Sequence, residues 1–164
     1  MICSEHWKDH QRINMKAKDW DKVADRYFEE VDSPFADGVK NPLIDEIEKI
    51  HDARGCKAID IGCGIGNLVP YLKNRFKESV CIDFSEEMIA KAKDRFSEEL
   101  DISFEVADMK DLKKYYNRFD HVFAINSIVE PSIEGIKRAL SEIRKVMKKD
   151  ARFYGVFPAL ESDV

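Results

Sequence analysis

The chain has 164 residues, 44% of them hydrophobic and 36% charged, which suits one globular domain with a sizeable core. Its net charge of −5 offers no basic footprint for nucleic acid and points away from a DNA or RNA partner. No apolar run approaches the roughly 18 residues of a membrane span, and the polar N-terminus lacks the apolar region of a signal peptide. Residues 1–15 read as a flexible segment without periodicity, ahead of a domain over 16–164. Within that segment Cys3, His6 and His10 would share a helix face; a frayed terminus is the expectation there, and no metal site is assigned. Trp20, Val23, Ala24, Tyr27, Phe28 and Val31 then follow the i, i+3, i+4, i+7 rhythm of an amphipathic helix. A turn-rich loop over 32–38 ends it. Asn41-Pro42 opens a second helix as N-cap and first helical residue, with Leu43, Ile44, Ile47 and Ile50 on its buried stripe and Gly55 just beyond its end.

From Lys57 onward strands and helices alternate. Expected strands are Lys57–Ile61, Ser79–Asp83, Ile102–Ala107, Phe119–Ile125 and Ala151–Phe157. A helix from about Asn67 to Phe76 follows the first strand. Ser85, with Glu86 and Glu87 in the first turn, caps a helix carrying Met88, Ile89, Ala92 and Phe96. A short helical segment lies near Leu112–Tyr116. The last helix begins near Pro131 or Ser132 and buries Ile136, Leu140, Ile143, Val146 and Met147, with Lys148-Lys149 at its C-terminal end. Short, nearly continuous apolar strands separated by helices imply a parallel sheet covered on both faces, an α/β fold. The four cysteines, Cys3, Cys56, Cys63 and Cys81, form no Cys-x-x-Cys pair, so they read as reduced thiols in a cytoplasmic protein.

The stretch that organises these elements is Asp60-Ile61-Gly62-Cys63-Gly64-Ile65-Gly66-Asn67, a strand running into a loop with glycines at alternate positions. Glycine tolerates positive φ and lets a ligand approach the backbone, and the helix behind the loop directs free N–H groups at that ligand. A dinucleotide fingerprint would need its third glycine where Asn67 stands, so a nicotinamide site is disfavoured. Asp83 ends the second strand about 20 residues further on, where a carboxylate can accept from both hydroxyls of a ribose.

Asp-x-Gly-x-Gly-x-Gly from Asp60 to Gly66 resembles motif I of the class I S-adenosylmethionine-dependent methyltransferases, and the resemblance covers roughly residues 17–158. It implies a Rossmann-like doubly wound sheet in the order 3-2-1-4-5 with helices on both faces, and S-adenosylmethionine as the methyl donor. Asp60, Gly62, Cys63 and Gly64 belong to the implied cofactor loop. Asp83 stands where the family holds the adenosyl ribose, and Phe84 beside it would pack on the adenine. Met88 is similar to a common family methionine, with a core helix residue as the equal alternative. Asp108 and Met109 resemble motif III, accepting from the adenine amino group and covering a ring face; the strand ending in Asn126 resembles motif IV. Trp20-Asp21-x-x-Ala24-x-x-Tyr27 looks like a lid segment, and Tyr27 is equally a core aromatic.

Methyl transfer needs a general base only when the acceptor must lose a proton, so no catalytic residue is named. After the fourth strand the chain reads Asn126-Ser127-Ile128-Val129-Glu130-Pro131, closer to small-molecule enzymes than to nucleic-acid amino methylases, and the expected partner is a small-molecule acceptor. Glu130 is a candidate base but reads first as a solvated loop carboxylate, and His121 reads as a packed side chain. Family members continue with two further strands that this chain lacks, which leaves the fifth strand as an apolar edge and suggests a homo-oligomer through it. The alternative to an active methyltransferase is a donor-binding module completed by a partner chain or missing segment.

Overall fold

The computed structural model describes residues 15–26, 35, 40–51 and 53–157. The segment with Cys3, His6 and His10, the first helix's Tyr27, Phe28 and Val31, most of the loop 32–38 and residues 158–164 lie outside the described residues. Strands β1 (Lys57–Ile61), β2 (Glu78–Asp83), β3 (Ile102–Val106), β4 (Phe119–Ile125) and β5 (Met147–Val156) form one sheet in the order β3-β2-β1-β4-β5. Every pairing in it is parallel. The helices are α1 (Ala17–Val23), α2 (Pro42–Glu48), α3 (Val69–Leu72), α4 (Glu86–Arg95) and α5 (Ile133–Val146). None of the described helices is long and apolar enough to cross a membrane.

The sheet is sandwiched because its central strands have no polar face to show. From Ala58 to Ile61 and from Ser79 to Asp83 every residue is buried. One core joins Ile47 of α2 and Leu72 of α3 to Phe76, Phe104 and Phe123. The other joins Ile143 and Val146 of α5 to Ile59, Ile61, Phe119 and Val122. Each fully buried Phe, Leu or Ile contributes about 1.5–3 kcal/mol, so the two layers fix the strand order that brings the ends of β1, β2 and β4 together. His121 is packed, as expected, between the rings of Phe76 and Tyr154, and burial pushes its pKa down.

The elements depart from expectation in four places. The helix after β1 shrinks to Val69–Leu72, because Lys73 takes an extended ψ of 140° and Asn74 a left-handed φ of 58°. Asn74 is held there by donating its N–H to Asp101 Oδ2 at 2.7 Å. β5 starts at Met147, so Lys148-Lys149 lie in a strand, with an irregular register between Phe119 and His121 of its neighbour. Leu140, expected in the core, is 40% exposed, and Ala139 takes the inward position. Finally, α1 gives way to a 3₁₀ turn at Ala24–Arg26.

Candidate functional site

β1 lies at the middle of the sheet, with β2 on one side and β4 on the other, so the chain reverses its winding direction at the C-terminal end of β1. In open α/β sheets such a switch point forms a crevice. Here it is a cavity of about 470 Å³. Gly62 and Gly64, Asp83, Phe84 and Met88, Asp108 and Met109, and Asn126 all line it. These residues come from the end of β2, from the loops after β1, β2, β3 and β4, and from α4.

The glycine loop needs its glycines. Gly62 has φ +75°, and a Cβ there would lie 2.3 Å from the Cβ of Ser127, whose hydroxyl donates to the Ile61 carbonyl at 2.6 Å. Gly66 has φ +82°, and a Cβ would meet the Phe96 ring at 3.0 Å. Close packing of the loop on β4 and α4 and the left-handed backbone thus exclude side chains at both positions.

Asp83 is 7% exposed and is held by backbone donors. Gly64 N–H reaches Oδ2 at 2.9 Å and Ser85 N–H reaches Oδ1 at 2.9 Å. Burial pushes its carboxyl pKa up, and the N–H groups of Ser85, Gly64 and Phe84 pull against that. Each oxygen keeps unused lone-pair capacity. Phe84 is 38% exposed on the cavity, whereas Met88 is 1% exposed and also packs on Val23, Ala24 and Ile65. Met88 is thus a core residue that also lines the cavity. Asp108 Oδ1 accepts from Lys110 N–H at 2.8 Å, a local turn that sets Met109 at the cavity wall. Asn126 has φ +51°, its N–H donates to the Val156 carbonyl at 2.8 Å, and its Oδ1 is buried with no hydrogen-bond partner.

Asp60 and Cys63 stand outside the lining. Asp60 is 2% exposed behind the loop, where burial and then the charge of Asp83 push its carboxyl up to about 7. Cys63 is buried with its thiol donating to the Gly64 carbonyl at 3.5 Å, and burial pushes its pKa up.

Sequence reasoning passed over Met15 and Lys16, and reached Trp20 only as part of the lid-like segment. Met15, Lys16 and Trp20 form a roof over the cavity. Asp21 of α1 docks that roof by accepting from Ser85 Oγ at 2.6 Å and from Glu87 N–H at 3.4 Å, and Asp25 pairs with Lys91. The lid-like Trp20-Asp21 segment was the available signal. Lys110 was not singled out; it forms an ion pair with Glu130 at 2.8 Å along the cavity wall, so Glu130 is a paired carboxylate and not a solvated one. Among the described residues no group of His, Cys, Asp and Glu is arranged to hold a metal ion.

Residues 58–150 match the family described as a methyltransferase domain. The chain belongs to this family. As a methyltransferase-domain protein it is 38% identical over 96 residues to the magnesium-protoporphyrin O-methyltransferase of Rhodobacter capsulatus, covering 57% of this chain and 42% of that protein. It is 29% identical over 154 residues to the demethylmenaquinone methyltransferase of Leptospira interrogans, covering 87% of this chain and 61% of that protein. The chain thus spans about half the length of these relatives. Among solved structures, the PH0226 protein of Pyrococcus horikoshii is similar with a TM-score of 0.59 and 27% identity, over 80% of this chain and 64% of that one. A DhpI-SAM-HEP complex shares the fold with a TM-score of 0.69 at 17% identity, over 87% of this chain and 64% of that one.

Proposed function

We propose that this methyltransferase domain binds S-adenosylmethionine and transfers its methyl group to a small-molecule acceptor. The observation that carries the reading is Asp83: a nearly buried carboxylate, fixed by the glycine loop's own N–H at 2.9 Å and opening on the same cavity. Its unused lone pairs suit the two hydroxyls of a ribose. Phe84 and Met109 would cover the adenine, and Asp108 would accept from its amino group. The partnerless Oδ1 of Asn126 suits a donor such as the ammonium of the methionine portion. When bound, the donor supplies an activated methyl on a sulfonium. The protein's part is to hold acceptor and donor in line and to exclude water, the latter through the roof of Met15 and Trp20.

The relatives named O-methyltransferase and demethylmenaquinone methyltransferase support a small-molecule acceptor. The free thiols Cys56, Cys63 and Cys81 support a reducing, cytoplasmic setting. The outer edge of β5 has no strand partner among the described residues, and Phe157 beside it is 52% exposed, which supports association of two copies through that edge. Calorimetric titration with S-adenosylmethionine and S-adenosylhomocysteine tests the central reading. Micromolar binding is expected, weakened by about tenfold or more in a folded Asp83→Ala variant. Absence of binding by either compound to folded protein contradicts it.

A further inference from the structure

We propose that the acceptor is a carboxylic acid in its ionised form, methylated on oxygen in this cavity, whose lining includes Met15, Lys16, Val129, Glu130 and Pro131. This rests on the methyl-transfer reading above and names the acceptor class for that site.

The ionisable side chains on the cavity are Lys16, Asp83, Asp108, Lys110 and Glu130. An alcohol, a phenol or an ammonium acceptor must give up a proton to a base during or before transfer. Asp83 has both oxygens engaged by backbone N–H groups, and the donor reading assigns the rest of its capacity to a ribose. Asp108 accepts from Lys110 N–H and faces the adenine position in the same reading. Glu130 is bound through Oε1 to Lys110, and its Oε2 lies where a Cβ on Gly135 would come within 2.4 Å, so it rests on the first turn of α5. The glycine there is what admits the carboxylate. His121 is sealed between Phe76 and Tyr154 and is absent from the cavity lining. Among the described residues the cavity therefore holds no uncommitted base.

What it does hold is cation. Lys16 lines the cavity and forms no ion pair with any described residue, and Lys110 lines it with Glu130 as its counter-charge. Met15, Trp20, Val129 and Pro131 offer an apolar surface for a carbon skeleton. An acceptor that is anionic at neutral pH and needs no deprotonation matches both features, and a carboxylic acid, ionised above about pH 4, is such an acceptor. In the step, a lone pair of one carboxylate oxygen forms the O–CH₃ bond while the S–CH₃ bond breaks and its electron pair stays on sulfur. The carboxylate becomes a neutral ester and the sulfonium a neutral thioether, and no proton moves. Lys16 orients the anion and screens it from Asp83 and Asp108.

The test pairs a product assay with a binding assay. The full chain and S-adenosylmethionine are offered benzoate, hexanoate and trans-aconitate in parallel with benzyl alcohol, catechol, benzylamine and benzyl mercaptan. Methylated product is expected from carboxylates, releasing methanol in mild alkali as an ester does and an ether or methylamine does not. At saturating donor the rate is flat from about pH 6.5 to 8.5, because no base titrates. Lys16→Met raises the KM for the carboxylate about tenfold, while calorimetric affinity for S-adenosylhomocysteine stays within about twofold. Preferred methylation of the alcohol, phenol, amine or thiol overturns the proposal, as does donor binding with no carboxylate methylated. A Lys16→Met variant that loses donor affinity with carboxylate KM unmoved puts the lysine on the donor and overturns it too. Failure of the folded chain to bind either donor compound instead defeats the methyltransferase reading on which the proposal stands.

Discussion

Behind the glycine loop, Asp60 keeps a carboxyl group almost out of water at 2% exposure, next to a second buried carboxylate on Asp83. In the unfolded chain this group loses its proton near the usual 3.8; in the folded one it holds the proton to about 7. Between those values the native state binds the extra proton, so stability falls as pH rises from about 4 to about 7. Asp60→Asn is predicted to flatten that slope in melting temperature against pH; an unchanged slope would show that Asp60 is not its source. Because S-adenosylmethionine carries net positive charge, ionisation of Asp60 in the folded protein is expected to tighten donor binding as pH rises through about 7. The near-complete burial of Asp60, outside the cavity lining, was not legible in the sequence, since the motif gives spacing and not depth. Gly62 was legible: its alternate spacing signals a left-handed backbone, although the additional contact with Ser127 required the fold.

At the scale of elements, α5 shows how one polar residue redirects a helix. Glu142 is buried on α5 and accepts from Leu112 N–H at 2.9 Å and from Tyr116 Oη at 2.8 Å, with Lys145 alongside at 2.7 Å. Anchoring that side turns Ala139, Ile143 and Val146 onto the sheet and leaves Leu140 and Ile133 at the surface. Hydrophobic periodicity chose Leu140 over Ala139 because it has no way to see that a glutamate would be bound inside. Burial raises the Glu142 carboxyl, but its donors outweigh this and hold it down to about 2. Its contribution is therefore complete above about 4.5 and disappears as pH falls towards about 2. Glu142→Ala, which strands the buried Leu112 N–H, is predicted to cost about 3 kcal/mol in denaturant unfolding at neutral pH, and a loss below about 0.5 kcal/mol would contradict the anchoring role. The short α3 was equally hidden: Pro70 and the left-handed Asn74 act through local backbone geometry that an apolar stripe overrides on paper.

For the whole molecule, the sheet was the most legible feature. β1 and β4 have the expected bounds, the parallel sheet is what short apolar strands joined by helices imply, and the order β3-β2-β1-β4-β5 is the one the family resemblance implies. That order is what gathers Gly62, Asp83, Asp108 and Asn126, which are far apart in sequence, around one crevice. The roof was less legible because it depends on Asp21 reaching across from α1 to the cap of α4, a contact between segments with no shared pattern. The central claim is that this crevice is the seat of the methyl donor. A crystal structure of the chain with S-adenosylhomocysteine tests it most directly. Ribose hydroxyls are expected within about 3 Å of the Asp83 carboxylate, with the adenine between Phe84 and Met109. Electron density for the nucleoside elsewhere on the protein, with the crevice at the end of β1 left to solvent, would contradict it.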